Sequence, residues 1–309
     1  MRRLDNNGLP TYEFESPAFE GLVHAVFTRI GGVSQGPYAT LNVGTGIGDD
    51  DVAVAENHAR IHSHLGFSAG SIASPFQVHS NRIAVVAQSD AGKRFPGTDG
   101  LVTNAPGVAL LLRFADCQPI VLYDPGLQVV ALVHAGWRGV AQAVASRAVE
   151  TMHDAFGSEP DTLIAGLGPS IGPCCYVVGQ EVAAAMGYAL PDWNQVMSPE
   201  GEAWRFDLPG ANAQQLSSAG VRHIEHSRIC TSCSSHEFFS HRADKGLTGR
   251  FAVVTHLAPP SAPSAASTGS VMPTQREDTE TSVTSSTSKA LWMTPPGFPR
   301  IEGPLGGDE

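Results

Sequence analysis

The stretch LLLRFADCQPIVLYDPGLQVVALVHAGWRG, residues 110–139, decides how this chain is read. It holds the end of one apolar run, 108–114, and the whole of two more, 119–123 and 128–134. Short runs of Val, Ile and Leu bounded by Asp, Pro and Gly are the pattern of buried strands. The links between them are too short for a crossover helix, so sequence neighbours are expected to pair antiparallel. One feature does not fit a plain core strand. The last run ends in an imidazole, His134, and the break between the first two holds a thiol, Cys117.

Working outward, further strand candidates lie at 22–28, 82–88, 162–167 and 251–255, and helix candidates at 50–65, 139–156, 179–189 and 209–219. Within 139–156, Val140, Val144, Ala148, Met152 and Phe156 recur near helical spacing and form an apolar stripe. The order of elements predicts an α+β single domain with mixed, largely antiparallel sheets rather than a doubly wound one. Glycine-rich NVGTGIGDD (42–50) lacks the spacing of a phosphate-binding loop. It reads as a turn into a helix capped by Asp49 or Asp50.

The composition shifts after His256, where LAPPSAPSAASTGSVMPTQ begins a Pro-, Ser- and Thr-rich segment. Such a segment buries too little apolar surface to offset the entropy of ordering it. One folded domain is therefore expected over residues 1–256, with a disordered tail over 257–309. All 12 histidines and 5 cysteines precede that tail. Its short apolar cluster, Leu291-Trp292-Met293, reads either as a docking peptide or, the preferred reading, as incidental.

A net charge of −11 leaves no basic surplus to displace counterions, so nucleic acid is not expected as a partner. The chain has no apolar run long enough to span a membrane. No apolar segment follows the two N-terminal arginines, and the cysteine count is odd, with Cys174 and Cys175 adjacent. These features predict a reduced, cytoplasmic protein.

His79 in PFQVHSN, Cys117 in RFADCQP and His134 share one context, a metal-type ligand at the edge of an apolar run. A thiolate with two imidazoles suits zinc, and three protein ligands leave a fourth tetrahedral position open for water or substrate. Their separations match no short zinc motif, and a lone His or Cys at a strand end also reads as an ordinary core residue. Cys230 and Cys233 form a C-x-x-C, with His236 close behind, but no second C-x-x-C pairs with it. With Cys174 and Cys175 they offer a competing, structural zinc site, but the reading preferred for all four is ordinary loop and core thiols.

Seven segments then occur in a characteristic order: FTRIGGVSQGPYATLNVG, QVHSNRI, TDGLVT, FADCQPIVLYD, VHAGWRG, GLGPSIGPCCYVVG and CTSCSSHEFFSHRADKGLTGR. Together they resemble the YfiH-type laccase-domain family, described as polyphenol oxidases and as zinc-dependent purine nucleoside phosphorylases. The resemblance covers about residues 20–255. It implies a layered α-β-β-α sandwich and a metal held by His79, Cys117 and His134. There are departures. Phe114 stands where the family usually has Thr, and His241 and Ala243 replace the Tyr and second Arg of the terminal motif. His58 stands where an arginine is common, with Arg60 two residues later.

The resemblance implies phosphorolysis of adenosine, inosine, guanosine or methylthioadenosine, with adenosine deamination as a further activity. The partners would be purine nucleosides and phosphate. Zinc is the expected metal, and copper could occupy the same ligands in vitro. Asp116, beside the cysteine, is the candidate to orient a ligand or exchange a proton. Arg138 either stabilises an anionic centre or stacks on Trp137. Arg29, Asn42 and Arg242 are candidate substrate contacts. Two alternatives stand beside this reading. A laccase-like copper oxidase would need several paired H-x-H motifs, whereas the chain has one, His62-Ser63-His64. A Cys-His hydrolase would use Cys117 as a nucleophile activated by His134.

Overall fold

The computed structural model describes residues 1–258, Asn7 excepted. The expected tail, with Leu291-Trp292-Met293, lies outside the described residues, apart from its first two. One of those, Leu257, is the last residue of a strand, Phe251–Leu257.

The strand candidates become two stacked sheets. The first runs, edge to edge, Arg2–Asn6, Leu9–Glu13, Leu22–Phe27, Phe251–Leu257, Ala109–Phe114, Ile72–Phe76 and Arg94–Pro96. The second runs His223–His226, Ile164–Leu167, Gln118–Asp124, Val129–Ala135, Gly100–Thr103 and Ile83–Val85. Antiparallel pairs dominate, with parallel pairing confined to pairs toward the sheet edges.

The layering follows from the two-residue alternation of a strand. Val130 and Leu132 join Val121 and Tyr123 against Leu110, Leu112 and Phe114 of the other sheet, forming the central core. Their neighbours Val129, Ala131 and Val133 turn the other way, onto Val144, Ala148 and Met152 of the helix Val144–Phe156. On the far side, Leu111 and Val254 meet Ile61 of the helix Asp51–Leu65. The result is the expected α-β-β-α sandwich. A smaller lobe packs Val182 and Met186 of the helix Gln180–Ala189 against a three-stranded sheet, Val177–Val178, Met197–Glu200 and Ala203–Phe206.

Two expectations need correction. Gln118–Asp124 and Val129–Ala135 form the antiparallel hairpin, but Ala109–Phe114 pairs in the other sheet. Ala115, Asp116 and Cys117 are therefore a step between sheets, not a hairpin turn. The helix expected over 139–156 is broken into Trp137–Ala141 and Val144–Phe156, with Ala143 left-handed at φ 58°. The break frees Gln142, whose side-chain amide donates to the carbonyls of His79 (3.0 Å) and Arg138 (2.9 Å). The first helix is capped by Asp50, which accepts from the Val52 amide at 2.9 Å. Asp49 instead accepts from Ser34 and Asn42.

Candidate metal centre

His134 is the sixth residue of Val129–Ala135 and shares the face of Val130 and Leu132, so its ring points between the sheets. All seven residues of that strand are buried. Each buried Val or Leu contributes about 1.5–3 kcal/mol, so the imidazole stands on a rigid base. Cys117 arrives from the step between sheets, and His79 from the turn after Ile72–Phe76. The potential ligand atoms of His79, Cys117 and His134 all lie within 4.8 Å of one another. The two imidazole centroids are 4.9 Å apart. His134 is buried while His79 and Cys117 are half-buried, so the group opens outward on one side.

Two backbone features flank the group. His79 and Asp116 both sit in the left-handed region, at φ 60° and 80°. For residues with a side chain this conformation costs about 1–3 kcal/mol and persists only where the surroundings impose it. At His79 they do. The Asp99 carboxylate accepts from the amides of Val78 (3.2 Å), His79 (2.9 Å) and Ser80 (2.6 Å) and from the Ser80 hydroxyl (2.7 Å). At Asp116, the carboxylate accepts from the Thr231 hydroxyl and the Arg242 amide, each at 2.6 Å.

Asp99 is fully buried and also meets His134 Nδ1 at 3.0 Å. Burial by itself would raise its pKa; the His134 and Ser80 contacts outweigh that and hold the carboxyl at about 2. With Nδ1 committed, His134 offers Nε2 to a metal. Burial opposes charge on Cys117 and His134 too, and their mutual attraction overrides it. The thiol falls to about 6 and the imidazole rises to about 9. A thiolate is the form a metal needs.

The backbone leaves room for an ion. A Cβ on Gly136 would come within 2.7 Å of Cys117 Sγ and 3.4 Å of His79 Cδ2. Glycine at this position keeps the space beside the sulfur clear. The donor set, its carboxylate support and this clearance fit zinc.

The remaining sequence candidates are distributed unevenly. Arg138 stacks on Trp137, 4.4 Å from the ring, as one of its two readings anticipated. Arg242 leans over Tyr176 at 5.1 Å and donates to the Val177 carbonyl at 2.6 Å. Arg29 donates to the carbonyls of Ala39 and Ser235 and lies over Phe239 at 4.4 Å. Asn42 is fully buried, binding Gly44, Asp49 and the Arg250 amide. Both tie loops together through these bonds.

Sequence reading missed two residues. Asp99 lay within TDGLVT, where a carboxylate just before a strand was the available signal. Arg250, the last residue of GLTGR, is held below its ordinary pKa by burial, with the negative Cys117 and Asp116 acting the other way. It adds positive charge within electrostatic reach of the thiolate.

Sequence and fold together place the chain in a known class. The chain belongs to the family described as multi-copper polyphenol oxidoreductase laccase, whose sequence model matches residues 23–258. It is 40% identical to the purine nucleoside phosphorylase YlmD of Geobacillus stearothermophilus, over 76% of this chain and 90% of that one. It is 42% identical to a purine nucleoside phosphorylase of Deinococcus radiodurans, over 76% and 88%. The crystal structure of YlmD from Geobacillus stearothermophilus superposes with a TM-score of 0.78 at 37% identity, covering 83% of this chain and 98% of that chain. A Bacillus licheniformis hypothetical protein YfiH superposes with the same TM-score at 32% identity, covering 82% and 98%.

Proposed function

We propose that this chain is a zinc-dependent purine nucleoside phosphorylase, with adenosine, inosine, guanosine and methylthioadenosine as substrates, and that the same site deaminates adenosine. The observation that carries the reading is the His79, Cys117 and His134 group, braced by Asp99 at one open-sided position. Relatives of known name support the choice of reaction.

Phosphorolysis breaks the bond from C1′ to the purine nitrogen, and the electron pair leaves with the base. A phosphate oxygen forms the new bond to C1′, and the base takes up a proton. Such a reaction needs fixed positive charge for the anion and a firm grip on the sugar. Zinc on His79, Cys117 and His134 would supply Lewis-acid charge at the open position. The chain's own residues provide the rest. Arg250 and Arg138 extend the positive field around an anion. Asp116 acts by position: it holds Thr231 and the Arg242 backbone, and so the wall on which Tyr176 and Arg242 stand. Arg29 and Asn42 act through the loops they hold. His241, in place of the family's tyrosine, lies within electrostatic reach of His79 and Asp116 and offers the leaving base a hydrogen bond.

The donor set weighs against a multicopper oxidase. Among the described residues, the other ligand cluster consists of four cysteines, with no histidine. His62 packs against His58, and His64 meets the edge of Phe27. One His-Cys-His group cannot supply four-electron chemistry. The thiolate-imidazolium pair does fit a Cys-His hydrolase, and metal dependence separates the two.

The test is incubation of pure protein with each nucleoside and phosphate, with chromatographic detection of free base and of ribose 1-phosphate, or of methylthioribose 1-phosphate from methylthioadenosine. The expected product is sensitive to chelator and absent in Cys117→Ala. No sugar 1-phosphate from any of the four nucleosides, or full activity without metal, overturns the reading.

A further inference from the structure

Cys174 and Cys175 are separated by more than fifty residues of chain from Cys230 and Cys233, yet the four sulfurs lie within 4.8 Å of one another. Cys174 Sγ is 3.5 Å and Cys175 Sγ 3.4 Å from Cys233 Sγ. With Zn–S bonds of about 2.3 Å, the edge of a four-thiolate tetrahedron is about 3.8 Å. The cluster spans that dimension, whereas a disulfide requires about 2.05 Å. All four are free thiols. We propose that these four cysteines bind a second, structural zinc ion, separate from the His79, Cys117 and His134 group.

The surroundings suit a closed thiolate site. The Gly172 amide donates to Cys230 Sγ at 3.3 Å, the kind of bond that stabilises a metal-bound thiolate. A Cβ on Gly172 would press on Cys230 Cβ at 3.3 Å and Cys174 Sγ at 3.4 Å, so the loop's close approach depends on glycine. Arg205, ion-paired with Glu200, donates to the carbonyls of Pro173 (2.6 Å) and Cys174 (2.9 Å) and so fixes the loop that carries two of the four thiols. Two cysteines come from each loop, and the loops already meet through a parallel bridge between Ser170 and Cys230. The ion fastens them together.

That fastening bears on the other centre. The first loop carries Tyr176, which stacks with Arg242. The second carries Thr231, one residue from Cys230, whose hydroxyl holds Asp116 beside Cys117. The second zinc is thus a brace for the wall of the first site, and its chemistry takes no part in turnover.

The experiment is metal analysis of full-length protein purified under reducing conditions. Wild type is expected to carry two zinc ions per chain. Cys117→Ala keeps one, and Cys174→Ser with Cys233→Ser keeps the other. Because the double serine variant can fail to fold, the Cys117→Ala protein is also loaded with cobalt. Strong thiolate-to-cobalt charge transfer with tetrahedral ligand-field bands is expected there, and a chelator should then lower its melting temperature. A single zinc that disappears in Cys117→Ala, iron in place of zinc, or disulfides under these conditions overturns the proposal. None of these outcomes depends on nucleoside turnover, so the phosphorylase reading stands or falls separately.

Discussion

Asp99 Oδ1 lies 3.0 Å from His134 Nδ1, while the same carboxylate accepts three successive backbone amides around His79. One buried anion thereby orients two of the three candidate ligands. It selects the imidazole nitrogen that faces Cys117 and holds the left-handed turn that presents His79.

Replacing Asp99 with Asn keeps the size but removes the charge, and sets an NH2 group against donors. Orienting carboxylates of this kind affect metal affinity by about 10–100-fold. Asp99→Asn is expected to lower zinc affinity within that range, read by competition with a chromophoric chelator. Unchanged affinity would show that Asp99 serves the fold alone.

Gly136 has an extended backbone, with φ −91° and ψ −178°, that any residue adopts. Its requirement for glycine is therefore purely one of space beside Cys117 Sγ. Gly136→Ala should leave the circular dichroism spectrum intact and cost at most about 1–3 kcal/mol of stability. Zinc affinity should nevertheless fall by at least about tenfold, like the loss of a supporting contact. Full zinc loading at wild-type affinity would mean that the sulfur simply moves aside.

Much of this arrangement is legible in the sequence, and the failures share a cause. The strand Val129–Ala135 and the His134 near its end follow from the apolar run, because burial on both faces leaves little else for such a run to do. The partner of Ala109–Phe114 does not follow. A short polar break reads equally as a hairpin turn or as a step between stacked sheets, and only the packing of Phe114 against Phe251 and His134 distinguishes them. The helix break at Gln142 and Ala143 is silent because the apolar stripe continues through it. The four-cysteine cluster is legible only as a weak alternative: a C-x-x-C without a second C-x-x-C is a poor metal signal, and only the fold brings the adjacent pair Cys174-Cys175 to it.

Without metal, Cys117 should behave as an acidic thiol. Burial favours the neutral form, but His134 and His79 stabilise the thiolate and bring it to about 6. Iodoacetamide labelling of chelator-treated protein should therefore rise through about pH 6 and level off near neutrality, where an ordinary thiol is still mostly protonated. Zinc should protect it. A labelling midpoint near that of a free cysteine would rule out the ion pair.

Acid stability gives a separate reading of the fold. Burial, assisted by the charge of Arg113, lowers the pKa of His58 to about 4, and its Nε2 meets the Val43 carbonyl at 3.1 Å. Burial also lowers the pKa of His24. Its ring accepts from the Phe14 amide at 2.9 Å and meets the Leu22 carbonyl at 3.1 Å, a pairing only the neutral ring can make. Both histidines bind a proton more readily in the unfolded chain, where the pKa is about 6.5. Stability is then fully present above about pH 6.5 and is lost as the pH falls through that value toward 4. For His58 alone the loss reaches about 3 kcal/mol at its limit, from about 1.4 kcal/mol per unit. Denaturant midpoints measured between pH 7 and 4 should fall accordingly, and His58→Gln should flatten the slope even if it lowers stability at pH 7. An unchanged slope in that variant would place the acid sensitivity elsewhere, because removing the titrating ring removes its proton linkage whatever else the substitution does.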